Sequence, residues 1–225
     1  MNPIVLGAAG FLGLNLVDAL VAGGVVPRCG RRRREFVIPL KKRKVPMVVV
    51  ELDEPEVLAS AMEGCDVVFH AAGHYPRFCV DPEAVLELGI RQTRNALDAA
   101  ARAGVQRFVY VSTTATVAPN PDGPSTEEHV YSAPPGYGLY HHLKWTMEQL
   151  VAEEDRFETR IACPAGCIGP WDLRVAFGTS ALPWPASHGS TRRPGASSSV
   201  AATTSSSRCS SSSRYGTGHH HRARP

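Results

Sequence analysis

Two hydrophobic patterns alternate along the first 170 residues of this chain. Short apolar runs, which are typical of buried strands, are separated by segments whose apolar residues recur at helical spacing. The runs predict six strands, which are Pro3–Leu6, Val25–Gly30, Met47–Leu52, Asp66–Ala71, Arg107–Ser112 and Thr159–Cys163. The segments between them predict helices over Phe11–Ala22, Glu54–Met62, Pro82–Ala103 and Tyr140–Glu153, with Asp53 as the N-cap of the second. This alternation predicts parallel pairing through right-handed crossovers, and therefore an α/β, doubly wound parallel sheet.

The composition changes towards the end of the chain. Residues 186–225 contain twelve serines, six arginines and no acid, with Val200 and Tyr215 as the sizeable apolar residues. Such a segment cannot bury enough surface to offset the entropy of ordering it. We expect a domain over residues 1–174 and an incomplete, disordered, low-complexity region over residues 175–225. An out-of-frame reading of a GC-rich gene is the favoured explanation, and a genuine tail is the alternative.

Charge and cysteine content exclude several classes of protein. The tail's arginines account for the net charge of +3, because residues 1–185 alone carry −3, so charge gives no reason to expect nucleic-acid binding. Six cysteines without a Cys-x-x-Cys pair or metal-type spacing predict reduced thiols and no metal site. No apolar run approaches the ~20 residues of a membrane span, and no signal-peptide pattern is present. We therefore expect a cytoplasmic protein that does not bind membranes.

Glycines stand where the first strand must turn into the first helix, at Gly7, Gly10 and Gly13. The first permits a sharp turn, the second lets the backbone approach a pyrophosphate, and the third lets the helix pack close to the sheet. The helix N-terminus then offers free N–H groups and the positive end of its dipole to an anion. A plain strand–helix turn is the alternative, but the position at the start of an alternating chain favours dinucleotide binding.

A tyrosine and three hydroxyls predict proton-transfer chemistry. Tyr140 and Lys144 lie four residues apart and therefore on one helix face. A cation beside a phenol favours the phenolate, so Tyr140 could exchange a proton with a hydroxyl or carbonyl near neutral pH. The hydroxyls of Ser112, Thr113 and Thr114 follow the fifth strand, and one of them could bond the same substrate oxygen. Strand-end capping is the alternative for these three residues.

These motifs resemble, in chain order, the extended short-chain dehydrogenase/reductase superfamily in its NAD-dependent epimerase/dehydratase family. The resemblance rests on the glycine segment 7–13, the strand end Val68–Gly73, the segment Ser112–Val117 and Tyr140-x-x-x-Lys144, and it covers about residues 3–174. It implies a Rossmann-type fold, an NAD(P) cofactor, and an oxidoreductase or epimerase. The implied substrate is a small molecule with a hydroxyl or carbonyl group, such as a sugar nucleotide or a sterol, and a homodimer is left open.

The resemblance also assigns roles to residues. Tyr140 would be the acid/base, Lys144 would hold the nicotinamide ribose, Thr114 would orient the substrate oxygen with Thr113 as the alternative, and Asp53 would accept from the adenine amino group. The cofactor-binding residues that it implies are Gly7, Gly10, Phe11, Leu12, Gly13, Leu52, Asp53, Ala71, Ala72, Gly73, Tyr140, Lys144 and Pro164.

The end of the second strand bears on which dinucleotide is bound. An acid at that position would bond the adenosine 2′-hydroxyl of NAD, but the chain has arginines there and no acid before Glu35. Guanidinium groups suit a 2′-phosphate, so Arg31 and Arg32 favour NADP(H), with NAD(H) as the alternative. A nuclear-import or nucleic-acid patch is disfavoured, because these arginines lie within the alternating core.

Two departures from the family limit what can be expected. Gly89 stands where many members have an asparagine that supports a proton relay. We expect the region that closes over the substrate in such proteins to be absent or scrambled after about residue 170. We therefore also consider a non-catalytic dinucleotide-binding fragment, which would bind cofactor without turning over a substrate.

Overall fold

The computed structural model describes residues 1–35, 37–73 and 80–172, together with residues 208–209. Helices and strands alternate in chain order as β1 (Pro3–Leu6), α1 (Phe11–Ala22), β2 (Arg28–Arg31), α2 (Ile38–Arg43), β3 (Met47–Val49), α3 (Pro55–Met62), β4 (Val67–His70), α4 (Pro82–Arg102), β5 (Arg107–Val111), α5 (Leu139–Ala152), β6 (Glu158–Ala162) and β7 (Arg208–Cys209). A turn of 3₁₀ helix, Thr114–Thr116, follows β5.

The strands form one sheet in the order β3-β2-β1-β4-β5-β6-β7. Strands β1 to β6 are parallel to one another, and β7 pairs antiparallel with β6. The strand order reverses between β1 and β4, which is where open α/β sheets bind ligands, outside the carboxyl ends of the strands. The predicted doubly wound, Rossmann-type sheet is confirmed.

Side chains alternate across each strand, so each face of the sheet presents apolar residues. Each face is therefore packed into its own hydrophobic core. Ile4 and Leu6 point to the face covered by α3, α4 and α5, where they join a core around Phe108, Tyr110 and Leu143. Val5 points to the opposite face. There it packs with a smaller buried group made up of Ala8, Leu14, Val17, Cys29, Leu40 and Val45.

Two predicted strands extend three residues too far at one end. Strand β2 begins at Arg28 and not at Val25, because β1 offers partners only from Ile4 onward and Pro27 has no N–H to donate. Strand β3 ends at Val49, three residues before Leu52. The basic stretch after β2 contains α2. This helix was not predicted, because its buried residues, Pro39 and Leu40, are too few to give an apolar pattern at helical spacing among the basic residues.

The predicted N-cap of α3 is wrong. Glu54 occupies the N-cap position, and no side chain there accepts a hydrogen bond from the helix. Asp53 is turned towards α4, where its carboxylate accepts hydrogen bonds from Arg91 and Gln92. Two long-range partners on another helix therefore outweigh one local capping bond.

The predicted low-complexity region lies outside the described residues, apart from β7, which was not predicted. The expectation for residues 175–225 therefore stays a prediction. Within the ranges that the structure describes, no helix is both long enough and apolar enough to cross a membrane.

Candidate functional site

The glycine segment between β1 and α1 packs too tightly to accept side chains. Gly7 has a φ of +78°, and a Cβ placed on it would lie 2.8 Å from the backbone nitrogen of Ala72. A Cβ on Gly13 would lie 2.1 Å from the carbonyl oxygen of Gly7. The backbone of this turn is therefore pressed against the end of β4 on one side and against the first turn of α1 on the other.

The start of α1 is built to face an anion. Gly10 is the N-cap, its N–H donates to the Gly7 carbonyl (3.0 Å), and its own carbonyl accepts from Leu14 N–H (2.8 Å). The N–H groups of Phe11, Leu12 and Gly13 lie in the first turn, where helix geometry provides no intrahelical partner. Free donors and a side-chain-free cradle at one helix N-terminus fit the pyrophosphate of a dinucleotide.

The chain after β6 returns to this helix start. Asn15 Nδ2 donates to the carbonyl oxygens of Phe11 (2.9 Å) and Pro170 (3.0 Å). The guanidinium of Arg43 lies 4.8 Å from the ring centroid of Trp171 and pairs with Asp18 of α1. Sequence reasoning missed the contacts of Asn15 with Pro170 and of Arg43 with Trp171, because each joins residues more than 120 positions apart.

The residues predicted to contact the two ends of the cofactor flank the glycine turn. Ala71 N–H donates to the Leu6 carbonyl (3.1 Å), which continues the pairing of β1 with β4 and brings Ala72 against Gly7. On the other side of the site, the carbonyl of Leu52 accepts from Asn95 (2.8 Å).

Asp53 lies at the same edge, half exposed, and its carboxylate is engaged by Arg91 (3.0 Å) and Gln92 (2.8 Å). An adenine amino group would therefore have to share this carboxylate with two protein donors.

Arg31, which ends β2, differs in its partners from Arg32 and Arg33, which follow it. Arg32 pairs with Glu35, and Arg33 binds Glu54 through both of its terminal nitrogens. Arg31 Nη1 donates to the backbone carbonyls of Arg32 (3.1 Å) and Arg33 (3.4 Å). Among the described residues, no ion pair joins Arg31 to a carboxylate, so its charge is the least neutralised of these three.

The three hydroxyls after β5 lie in three different environments. Ser112 is buried, and its Oγ donates to Glu148 (2.6 Å). Thr113 is the N-cap of the 3₁₀ turn, and its Oγ1 accepts from Ala115 N–H (3.3 Å). Thr114 is exposed, and its N–H is held by the carbonyl of Pro164 (3.0 Å).

The Tyr140 and Lys144 side chains start from the first two turns of α5. Tyr140 is partly exposed, with its ring edge-on to His141 at 5.6 Å between centroids. Lys144 Nζ donates to the carbonyl of Val111 (2.9 Å) and to the hydroxyl of Tyr110 (3.4 Å). Burial lowers the pKa of Lys144 from its ordinary value of 10.5 to about 8, although Glu148 counteracts this effect.

Sequence reasoning missed Tyr110 and Glu148, which both lie behind this pair. Tyr110 is 1% exposed, and burial raises the pKa of its phenol. Glu148 could have been noticed, because it lies one turn after Lys144 and between the apolar positions Met147 and Val151. A glutamate at that spacing lies on the inward face of the helix.

The profile of the NAD dependent epimerase/dehydratase family matches residues 4–178 of this chain. The chain belongs to that family. Its relatives include a provisionally named dihydroflavonol 4-reductase of Synechocystis sp., which is 34% identical over 76% of this chain and 50% of that protein. Another is sterol demethylase protein B of Methylococcus capsulatus, which is 33% identical over 87% of this chain and 61% of that protein.

A solved structure supports the same assignment. A short-chain dehydrogenase/reductase superfamily protein from Agrobacterium tumefaciens, with bound NAD, is 28% identical. It superimposes with a TM-score of 0.59 over 72% of this chain and 48% of that one. The chain spans 50% and 61% of the length of the two curated relatives named above.

Family membership confirms the resemblance drawn from the motifs. It supports a nicotinamide dinucleotide as the cofactor. The roles of individual residues, the choice between NADP and NAD, and the substrate are proposals.

Proposed function

We propose that this chain is the cofactor-binding part of an enzyme that oxidises, reduces or epimerises a carbon bearing a hydroxyl or carbonyl group. Its substrate would be a small molecule, such as a sugar nucleotide or a sterol. The observation that carries the proposal is the arrangement of Thr114, Tyr140 and Lys144 around the carboxyl end of β5, in the same sheet as the glycine cradle.

The environments of the hydroxyls support Thr114 as the residue that orients the substrate oxygen. Ser112 already donates to Glu148, and Thr113 caps the 3₁₀ turn. Thr114 is exposed, and its backbone is fixed by Pro164. A substrate oxygen bonded to Thr114 would also accept from or donate to Tyr140, the acid/base of the proposal.

The cofactor, when bound, supplies hydride transfer. Tyr140 would move the accompanying proton to or from the substrate oxygen. Lys144 would favour the phenolate by its charge and bind the nicotinamide ribose hydroxyls, because its Nζ carries three donors and two are engaged by Val111 and Tyr110. With a pKa of about 8, most Lys144 side chains carry that charge at pH 7.

The glycine turn and its surroundings would hold the rest of the dinucleotide. Gly7, Gly10, Phe11, Leu12 and Gly13 would surround the pyrophosphate. Leu52 and Asp53 would face the adenine. Ala71, Ala72, Gly73 and Pro164 would line the nicotinamide end.

The arginines after β2 support NADP(H) over NAD(H). Arg31 has the better case, because Arg32 is already paired with Glu35. A 2′-phosphate would give the Arg31 guanidinium an anionic partner.

A non-catalytic dinucleotide-binding protein is the second candidate, because the glycine cradle by itself accounts for cofactor binding without turnover. The two candidates share cofactor binding and differ in turnover. A homodimer and a cytoplasmic location remain proposals, as does the absence of membrane and nucleic-acid partners.

Cofactor binding tests the proposal directly. We expect isothermal titration calorimetry to detect binding of NADPH to the 225-residue chain. Gly13→Ala should weaken it at least about tenfold, since the new Cβ meets the Gly7 carbonyl at 2.1 Å. Gly123→Ala is the matched control, since its new Cβ has only Asn120 nearby, at 3.9 Å. Equal affinity in both variants would refute the site, and binding without turnover would favour the second candidate.

A further inference from the structure

Glu148 is a carboxylate buried in the core behind the proposed site. The residue is 1% exposed, and its Oε2 accepts hydrogen bonds from Ser112 Oγ (2.6 Å) and Thr116 Oγ1 (2.6 Å). The Sγ of Cys163 lies 4.0 Å from the same oxygen. Both hydroxyl donors belong to the segment that carries Thr114, whereas Glu148 belongs to α5, which carries Tyr140 and Lys144.

A buried carboxylate is costly unless it is hydrogen-bonded and paired with a cation. Ser112 meets the first requirement, and Thr116 shares its one hydroxyl hydrogen between Glu148 and the carbonyl of Thr113 (2.7 Å). Lys144 is the candidate for the second, since it precedes Glu148 by four residues on one face of α5 and the charge of Glu148 raises the pKa of Lys144.

The surroundings of Lys144 leave few other groups that could balance its charge. Its Nζ bonds the Tyr110 hydroxyl and the Val111 carbonyl of β5, and its charge interacts with Cys163 after β6 and with His70 of β4. Burial and the charge of Lys144 lower the pKa of His70 to about 3, so His70 is neutral. Tyr140 precedes it on α5. Among these described neighbours, Glu148 is the one carboxylate.

We propose that Glu148 is a positioning residue with two tasks: it is the internal counter-ion of Lys144, and it ties the Ser112–Thr116 segment to α5. Its Oε2 joins the two pieces of backbone that carry Thr114 on one side and Tyr140 with Lys144 on the other. The inference rests on the proposed function only in the use made of Lys144 and Thr114.

The first task predicts a measurable change at Lys144. The chain contains four lysines, so a protein labelled with ¹³C at lysine Cε gives few signals, and a Lys144→Met variant assigns the one from Lys144. We expect Glu148→Gln to lower the pKa of Lys144 by about one pH unit or more, because a nearby opposite charge has been removed. Glu153→Gln makes the same charge change at the exposed end of α5, and should leave the Lys144 titration where it was.

The second task is tested by removing a hydroxyl while keeping the carboxylate. Ser112→Ala deletes one donor to Glu148. We expect the backbone amide signals of Thr114 and Ala115 to shift in ¹H–¹⁵N spectra, while the Lys144 titration changes less than in Glu148→Gln. If the amide signals of Thr114 and Ala115 do not shift, the proposed link between the Ser112–Thr116 segment and α5 is refuted. If the Lys144 pKa is unchanged in a folded Glu148→Gln variant, the counter-ion task is refuted.

Lys144→Met provides a measurement that does not depend on the folding of the Glu148→Gln single variant. It leaves the buried carboxylate without its cation and should lower the free energy of unfolding. Adding Glu148→Gln to Lys144→Met removes the unpaired charge and should restore part of that loss, measured by urea unfolding of the single and double variants. A double variant that recovers none of the loss would contradict the pairing.

None of these measurements requires cofactor or substrate. Failure to bind NADPH would refute the proposed function while leaving the Glu148 results standing. Normal NADPH binding with an unmoved Lys144 titration in Glu148→Gln would refute this inference and leave the proposed function standing.

Discussion

Gly89 of α4 and Leu143 of α5 fit together because Gly89 has no side chain. A Cβ placed on Gly89 would lie 2.5 Å from Cδ1 of Leu143 and 3.3 Å from Sδ of Met147. Leu143 is fully buried, so its side chain has little room to move away. An asparagine at this position would displace Leu143 from the core.

We expect Gly89→Ala to lower the free energy of unfolding by roughly 1–2 kcal/mol, because overpacking outweighs the gain in helix propensity. In a Leu143→Ala background the same change should be neutral or stabilising, since the methyl group then occupies vacated space. Urea unfolding of the four proteins in this double-mutant cycle measures the difference. The same cost in both backgrounds would show that the two residues do not compete for space.

The cofactor preference should depend on Arg31. We expect the wild-type chain to bind NADPH more tightly than NADH, and Arg31→Asp to lower the NADPH affinity about tenfold or more while affecting NADH less. Arg34→Asp makes the same charge change at an exposed position three residues away, and serves as the control. Calorimetric titration of both cofactors measures the ratio. If Arg31→Asp and Arg34→Asp change the ratio of NADPH to NADH affinity equally, Arg31 contributes only its charge and does not bind the 2′-phosphate specifically.

Tyr140 should be needed for turnover and not for cofactor binding. In a form extended by the region that its relatives have beyond the matched residues, Tyr140→Phe should lower the turnover number by about 10²-fold or more. The NADPH affinity should change little, because the ring and Lys144 remain. Tyr137→Phe, which removes a phenol that lies three residues earlier and is 68% exposed, is the control. Near-normal turnover in Tyr140→Phe would exclude Tyr140 as the acid/base.

His70 should make the fold sensitive to acid. It is 2% exposed beside Phe108 and Tyr110, its Nδ1 has no hydrogen-bond partner among the described residues, and burial lowers its pKa from 6.5 to about 3. Between these pH values the unfolded chain binds a proton that the folded chain does not, so stability falls as the pH falls.

The contribution of His70 should amount to about 2 kcal/mol between pH 7 and pH 5. His70→Leu should therefore lose less unfolding free energy over that interval than the wild type, whatever its absolute stability. Denaturant unfolding at the two pH values measures this difference, with His142→Gln on α5 as the control. If His70→Leu and the wild type show the same pH dependence, His70 is not the group responsible.

The local pattern of the sequence was enough to predict the alternation of strands and helices, and α1 was predicted with its observed bounds. It was enough because apolar periodicity, glycine placement and hydroxyl-rich strand ends act over a few residues, and because parallel strands bring their carboxyl ends to one edge of the sheet. The glycine turn, the hydroxyl segment and the Tyr140-x-x-x-Lys144 spacing are local features of that kind.

Tertiary structure decided the features that depend on partners far away in the chain. Asp53 pairs with α4 instead of capping α3, and β2 is shortened by the extent of its partner β1. The hydrogen bond from the Ser112 hydroxyl to Glu148 could not be predicted, because a glutamate in a helix is usually exposed to solvent. Only packing α5 against the end of β5 brings that carboxylate into the core, where its charge must be matched by hydrogen bonds and a cation.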